Sequence, residues 1–232
     1  MNPPIVISTV HGRGLPVLLE SIRQYAPDVQ VYLKGPERVI DGYGCTLVCT
    51  LVFGDATNFG DDYNMVISRA LSDGHGAVVI ANDDIVLTPS SYRMLLDDVS
   101  ICKELNQNPG LVASRSDAVR PIQNVRFNDG EKLNGMKFSH ESFVRQLPVV
   151  SPIFAWMSAE AFEDCQFPPI NYFSDDVICI DLIKKGYRHF LSASYVHHIG
   201  SSTIGRDAHQ LTLAAKPWIE QNRPNYAKEW FQ

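Results

Sequence analysis

Short apolar runs recur along the first half of the chain, and each ends in turn-forming or charged residues. Residues 5–10 read as a buried strand that runs into the turn His11-Gly12-Arg13-Gly14. Residues 29–33 read as a second strand, broken by Lys34-Gly35-Pro36, and 46–53 as a third, followed by Gly54-Asp55. Residues 77–81 are apolar at every position, as in a strand buried on both faces, and stop abruptly at Asn82-Asp83-Asp84. Between the runs the spacing becomes helical. Leu15, Leu18, Leu19, Ile22 and Tyr25 share one face with Pro16 in the first turn, and Tyr63, Val66, Ile67, Ala70 and Leu71 share another. A third helix is predicted over 89–105, with Thr88 as N-cap, Pro89 at its first position, and Tyr92, Leu95, Leu96, Val99 and Cys102 inward. Strands alternating with helices predict an α/β domain with a mostly parallel sheet and right-handed crossovers.

The second half is less regular. A short strand at 111–114 precedes residues 115–146, which are polar and lack periodicity. Six basic residues there (Arg115, Arg120, Arg126, Lys132, Lys137, Arg145) oppose four acidic ones, so the segment stands at +2 in a chain of net charge −6. A long irregular stretch inside a domain is a candidate lid or acceptor-binding insertion, or a solvated loop. Strand-like sequence returns at 147–157, and Ser158 can cap a short helix at 159–165. The helix after Ser174-Asp175-Asp176 ends at Lys184-Lys185-Gly186, with Ser174 or Asp175 as its cap. Strands at 187–191 and 193–196 lead into His197-His198-Ile199-Gly200-Ser201-Ser202-Thr203. Residues 1–206 read as one domain, and 207–232 as a helical tail that packs back through Trp218, Tyr226, Trp230 and Phe231.

Composition narrows the function classes. At 232 residues and 45% hydrophobic, the chain can bury a substantial core. The acidic balance argues against a generally basic nucleic-acid binder. Five scattered cysteines with no CxxC pair suit reduced thiols in a cytoplasmic protein, and neither a leader nor a membrane span is apparent, so no integral membrane association is expected. The turn after the first strand lacks the GxGxxG spacing of dinucleotide sites.

Three polar clusters then stand at element ends: Asn82-Asp83-Asp84, Asp175-Asp176 and His197-His198. A helix cap needs only one carboxylate, so the second on one turn is unspent. Carboxylate and imidazole ligands with room for substrate oxygens suit Mg²⁺ or Mn²⁺. Such an ion neutralises charge on a departing diphosphate while a separate carboxylate takes a proton from an incoming hydroxyl.

The order of the clusters, with the strand at 5–10, Asn58-Phe59-Gly60 and Asn64, Tyr172-Phe173-Ser174-Asp175-Asp176 before Gly186-Tyr187, and Val196-His197 before Gly200-Ser201-Ser202, resembles the family-2 glycosyltransferases over roughly residues 4–204. The resemblance implies a GT-A fold with a smaller antiparallel part near the acceptor site. It implies an inverting hexosyl transfer from a nucleotide sugar, UDP-linked by preference, to a hydroxyl acceptor. Asn82-Asp83-Asp84 is similar to the family's DxD motif, with Asp84 as metal ligand and Asn82 and Asp83 facing the donor. Asp176 matches the base and Asp175 its support. His197 matches the late metal-side histidine, with His198 as the alternative. Thr9, His11, Asn58, Gly60 and Asn64 fall on the nucleotide site, and Ala155 and Trp156 on the sugar and acceptor border. The family's acidic residue after the second strand is replaced by Lys34-Gly35, and Asp41 and Asp55 are the nearest substitutes. The basic stretch at 115–146 suits an acidic acceptor, such as a modified base in DNA; a glycan or small molecule is the other choice. The competing readings are a nucleotidyltransferase of related fold and a non-catalytic nucleotide-sugar-binding module.

Overall fold

The strand that is apolar at every position lies inside the sheet, covered on both faces. The computed structural model describes residues 2–43, 49–127, 135–136, 144–199 and 208–231. In chain order the elements are β1 (Ile5–Ser8), α1 (Leu15–Tyr25), β2 (Val31–Gly35), α2 (Glu37–Ile40), β3 (Cys49–Phe53), α3 (Phe59–Ser72), β4 (Ala77–Asn82), β5 (Ile85–Leu87), α4 (Ser91–Glu104) and β6 (Pro109–Ser116). They continue with β7 (Arg126–Phe127), β8 (Gly135–Met136), β9 (Arg145–Leu147), β10 (Phe154–Ser158), α5 (Ala159–Asp164), α6 (Ser174–Lys184), β11 (Arg188–His198), α7 (Ala208–Asn222) and α8 (Pro224–Trp230).

The sheet order is β3-β2-β1-β4-β10-β6-β11-β5, with β9 beside β11. The four strands from β3 to β4 are parallel. Beyond them β10 runs antiparallel to both β4 and β6, and β11 runs parallel to β6 but antiparallel to β5 and β9. Successive β4 side chains alternate between faces. Val79 and Ala81 join α1 and α4, whose Leu18, Ile22 and Leu95 fill one core layer. Val78 and Ile80 join α3, α5 and α6 through Val66, Phe162 and Leu182 in the other. The tail forms a third cluster, in which Ile219 and Tyr226 pack on Val177 of α6.

Several local expectations shift. Lys34 and Gly35 do not break β2 but belong to it, because the Lys34 side chain is fully buried and satisfied. Ile85–Leu87 pairs with β11, so Thr88-Pro89 forms the turn before α4 and does not begin it. The Thr88 N–H instead donates to Ser91 Oγ at 2.7 Å. The two strands expected at 187–196 are one strand carrying register irregularities. The tail is two helices, with Pro217 inside the first. The stretch at 115–146 contributes β7, β8, β9 and the end of β6, and residues 128–134 and 137–143 lie outside the described residues, as do Gly200-Ser201-Ser202.

Candidate functional site

Strands β1 and β4 end level with one another, Ser8 opposite Asn82. At this C-terminal edge of the parallel strands a cleft of about 520 Å³ opens, the usual position for a ligand in an α/β sheet. Val10 and His11 after β1, Thr57, Asn58 and Phe59 at the start of α3, and Asn82, Asp83 and Asp84 after β4 line it. Asn171, Tyr172, His198 and Leu211 of α7 close the perimeter.

The Asp83 and Asp84 carboxylates are almost fully covered and individually held. Asp83, 8% exposed, accepts a short hydrogen bond from Thr9 Oγ1, which itself accepts the Gly12 N–H at 2.9 Å. Burial raises the Asp83 carboxyl above its ordinary value; the Thr9 bond opposes this and the Asp84 charge adds to it. Gly14 explains the turn after β1. A Cβ there would lie 2.5 Å from the Asp83 carbonyl oxygen, so only glycine lets the turn pass the acid-bearing loop.

Asp84 Oδ1 lies 3.0 Å from His198 Nε2. The histidine beside the carboxylate is therefore His198, not His197. Side chains alternate along β11, and His197 turns away to place Nδ1 2.6 Å from Asp117 Oδ2 with its ring 46% exposed. Burial disfavours a charged His198, but the bond and charge of Asp84 together with the Ala118 carbonyl and Asp117 prevail and raise its pKa.

Asp62, which also lines the cleft, belongs to a buried ion pair that the residue pattern did not announce. Lys34 Nζ donates to Asp62 Oδ1 at 2.6 Å and to the Asp55 carbonyl at 2.8 Å. Thr57 donates to the same Asp62 oxygen through N–H and hydroxyl, at 3.2 and 2.8 Å. Asp62 is thus more than a favourable charge at the start of α3; it anchors the second strand to the cleft wall. A lysine at the end of an apolar strand was its one sequence signal.

The nucleotide-side expectations divide. Thr9, His11, Asn58, Asn82 and Asp83 converge on the cleft. Asn58 is also the N-cap of α3, its Oδ1 accepting the Asp61 N–H at 2.9 Å. Asn64 is spent on backbone, donating to the Phe167 carbonyl at 2.8 Å and accepting its N–H at 3.0 Å. Gly60 serves close approach: a Cβ would sit 1.8 Å from the Pro168 carbonyl oxygen. Both therefore join α3 to the segment before α6 and are not part of the cleft lining. Trp156 does not border the cleft either. It lies 2% exposed in β10 between Val79 and Val112, with Lys103 Nζ 4.6 Å from its ring centroid, and Ala155 is equally buried on the opposite face.

Asp175 and Asp176 stand in the first turn of α6, just past Tyr172. Neither they nor Ser174 cap the helix as expected. The capping position falls to Phe173 in the left-handed region at φ 65°, stacked on Trp230 at 5.3 Å between ring centroids. The acids are instead gripped by Arg120, which donates to Asp175 at 2.6 Å and to both Asp176 oxygens at 3.0 Å. Burial raises Asp176; Arg120 opposes that and Asp175 reinforces it. The basic stretch is thus partly committed inward, since Arg115 also donates to the Ser192 carbonyl at 3.1 Å.

No protein-family model matches the sequence, and no curated protein matches it. Solved structures do. The arrangement of sheet and helices is that of a GT-A-like α/β domain. The chain is similar to S. aureus TarS 1-349 in complex with UDP-GlcNAc, with a TM-score of 0.58 and 13% identity over 89% of this chain. It spans 60% of that TarS chain. A second TarS 1-349 structure aligns with a TM-score of 0.55 at 13% identity, over 97% of this chain and 74% of the other. This likeness agrees with the resemblance to family-2 glycosyltransferases at the level of fold.

Proposed function

We propose that the protein is a nucleotide-sugar-dependent glycosyltransferase that moves a sugar to a hydroxyl acceptor with inversion. The observation that carries this reading is the placement of two separate acid pairs: Asp83-Asp84 lining the cleft and Asp175-Asp176 on the adjoining turn of α6. The TarS structure that holds UDP-GlcNAc supports the donor class.

In this reading the nucleotide lies along the cleft, its base toward Thr57 and Asp62 and its diphosphate toward Asn82 and Asp84. Among the described residues no three His, Cys, Asp or Glu side chains gather closely enough to hold a metal alone. Asp84 with His198 would supply two ligands, which suits an Mg²⁺ or Mn²⁺ ion that takes its remaining ligands from a diphosphate and water. When bound, the ion neutralises charge on the leaving diphosphate. Asp176 takes the acceptor proton as the acceptor oxygen bonds to the anomeric carbon and the carbon–diphosphate bond breaks on the opposite face. A raised pKa, from burial, suits a carboxylate that must accept a proton near neutral pH. Asp175 supports it. An acidic acceptor such as modified DNA is suggested by the sequence balance of residues 115–146, but with Arg115 and Arg120 turned inward a glycan or small-molecule acceptor stands equally with it. The work is assigned to the cytoplasm, where scattered reduced thiols are at home.

Incubation with Mn²⁺ and a panel of nucleotide sugars tests the reading. Thermal stabilisation and slow donor hydrolysis by at least one sugar nucleotide are expected, UDP-linked first. No binding by any of them, with or without metal, sinks it.

A further inference from the structure

The grip on the acid pair extends well behind the guanidinium. Arg120, Pro121, Ile122 and Gln123 form a turn closed by the Gln123 N–H on the Arg120 carbonyl at 2.9 Å, with proline at the second position, where its fixed φ suits the turn. Gln123 is 1% exposed and bridges two segments. Its Nε2 donates to the Ser114 carbonyl of β6 at 2.8 Å and to the Ser151 carbonyl at 2.9 Å, while its Oε1 accepts the Ser151 N–H at 3.0 Å. Ser151 Oγ then accepts from Arg120 Nε at 2.7 Å and donates to Asp175 at 2.9 Å. Every nitrogen of the Arg120 guanidinium is engaged: Nε on Ser151, Nη1 on Asp176, and Nη2 on both acids.

We propose that Arg120 is a positioning residue for the acid pair, its guanidinium clamping both carboxylates of the first turn of α6 in one arrangement that Ser151 and Gln123 hold in place. The inference rests on the reading of Asp176 as the base. A loose surface ion pair has no such backing. Here the side chains of Arg120, Asp175 and Asp176 are only 26%, 21% and 22% exposed, and the planar fork meets two adjacent carboxylates at once.

The clamp has an electrostatic consequence. Asp176 is faced by Asp175 and Cys179 of its own helix and by Arg120 from the loop after β6. Burial and Asp175 push its carboxyl up, and Arg120 is the cation that restrains the rise. A base held this way keeps a fixed direction and stays ionised as an acceptor approaches. An arginine that only braced the fold would shift this titration too, so the link between the titration and turnover is what marks a positioning role.

Carboxyl-carbon NMR on protein labelled at aspartate reads this directly, with the Asp176 signal assigned by its loss in Asp176→Asn. Arg120→Gln is expected to raise the Asp176 midpoint by about one to three pH units, the effect of removing an adjacent opposite charge. Arg120→Lys keeps the charge without the fork and should fall between. Ser151→Ala, which removes the anchor of Nε and leaves the charges intact, covers the case in which Arg120→Gln does not fold; it should shift the midpoint in the same direction by less. The acid limb of donor turnover should move with the NMR midpoint. An unchanged midpoint overturns the clamp, as does an acid limb that stays put while the midpoint moves. A moved midpoint in a protein that turns over no nucleotide sugar at any pH upholds the clamp and removes the transferase reading.

Discussion

The two acid pairs of this protein are chemically alike and physically opposite. Asp83 and Asp84 are held by a threonine hydroxyl and a histidine, and they line the cleft. Asp175 and Asp176 are held by an arginine and are not part of the cleft lining. A single guanidinium offsets one of the two carboxylate charges and fixes both groups through directed hydrogen bonds. A hydroxyl and an imidazole meet the other pair one carboxylate at a time, Thr9 on Asp83 and His198 on Asp84. Identical residue pairs thus sit in different electrostatic settings, set by partners distant in sequence.

The sharpest way to separate the pairs is by turnover. Asp176→Asn should lower transfer by about a thousandfold, the scale of a lost general base, while the protein folds normally. Normal transfer by that variant would remove the base assignment. Next in size is the buried ion pair behind the cleft residue Asp62. Lys34→Met leaves Asp62 buried without its cation and should cost about 3–5 kcal/mol in chemical denaturation, whereas Lys34→Met with Asp62→Leu should recover most of it. Equal losses in the single and double variants would show that the pair is not coupled. The smaller contrast is between neighbouring histidines. His198→Ala should weaken Mn²⁺-dependent nucleotide-sugar binding by about tenfold, and His197→Ala should change it little, because only His198 meets Asp84. The reverse ranking would restore His197 as the metal-side residue.

These expectations also mark what the residue pattern made legible. Periodicity located the parallel half of the sheet and its helices, because burial on one or both faces dictates spacing directly. The acid clusters were visible because carboxylates at the end of a buried strand, or doubled on one helical turn, exceed what turns and caps require. What stayed hidden depended on partners distant in sequence. The choice between His197 and His198 is set by the register of β11 against β5, with His198 opposite Ile85. Asn64 and Gly60 looked like ligand contacts, yet their partners are the backbone of Phe167 and Pro168, about a hundred residues on. Trp156 alternates inward on a strand whose two faces are both covered, so no local pattern shows which way it points. Arg120 belonged to an irregular stretch whose charge suggested an outward role, and its carboxylate partners lie 55 and 56 residues away.

The division of labour between the pairs is tested most directly by calorimetric titration of the wild-type protein, Asp176→Asn and Asp84→Ala with Mn²⁺ and whichever nucleotide sugar of the panel stabilises the protein most. The account predicts that wild type and Asp176→Asn bind alike and that Asp84→Ala loses the metal-dependent part of the affinity. Equal loss in both variants, or metal-independent binding that Asp84→Ala leaves intact, would contradict it.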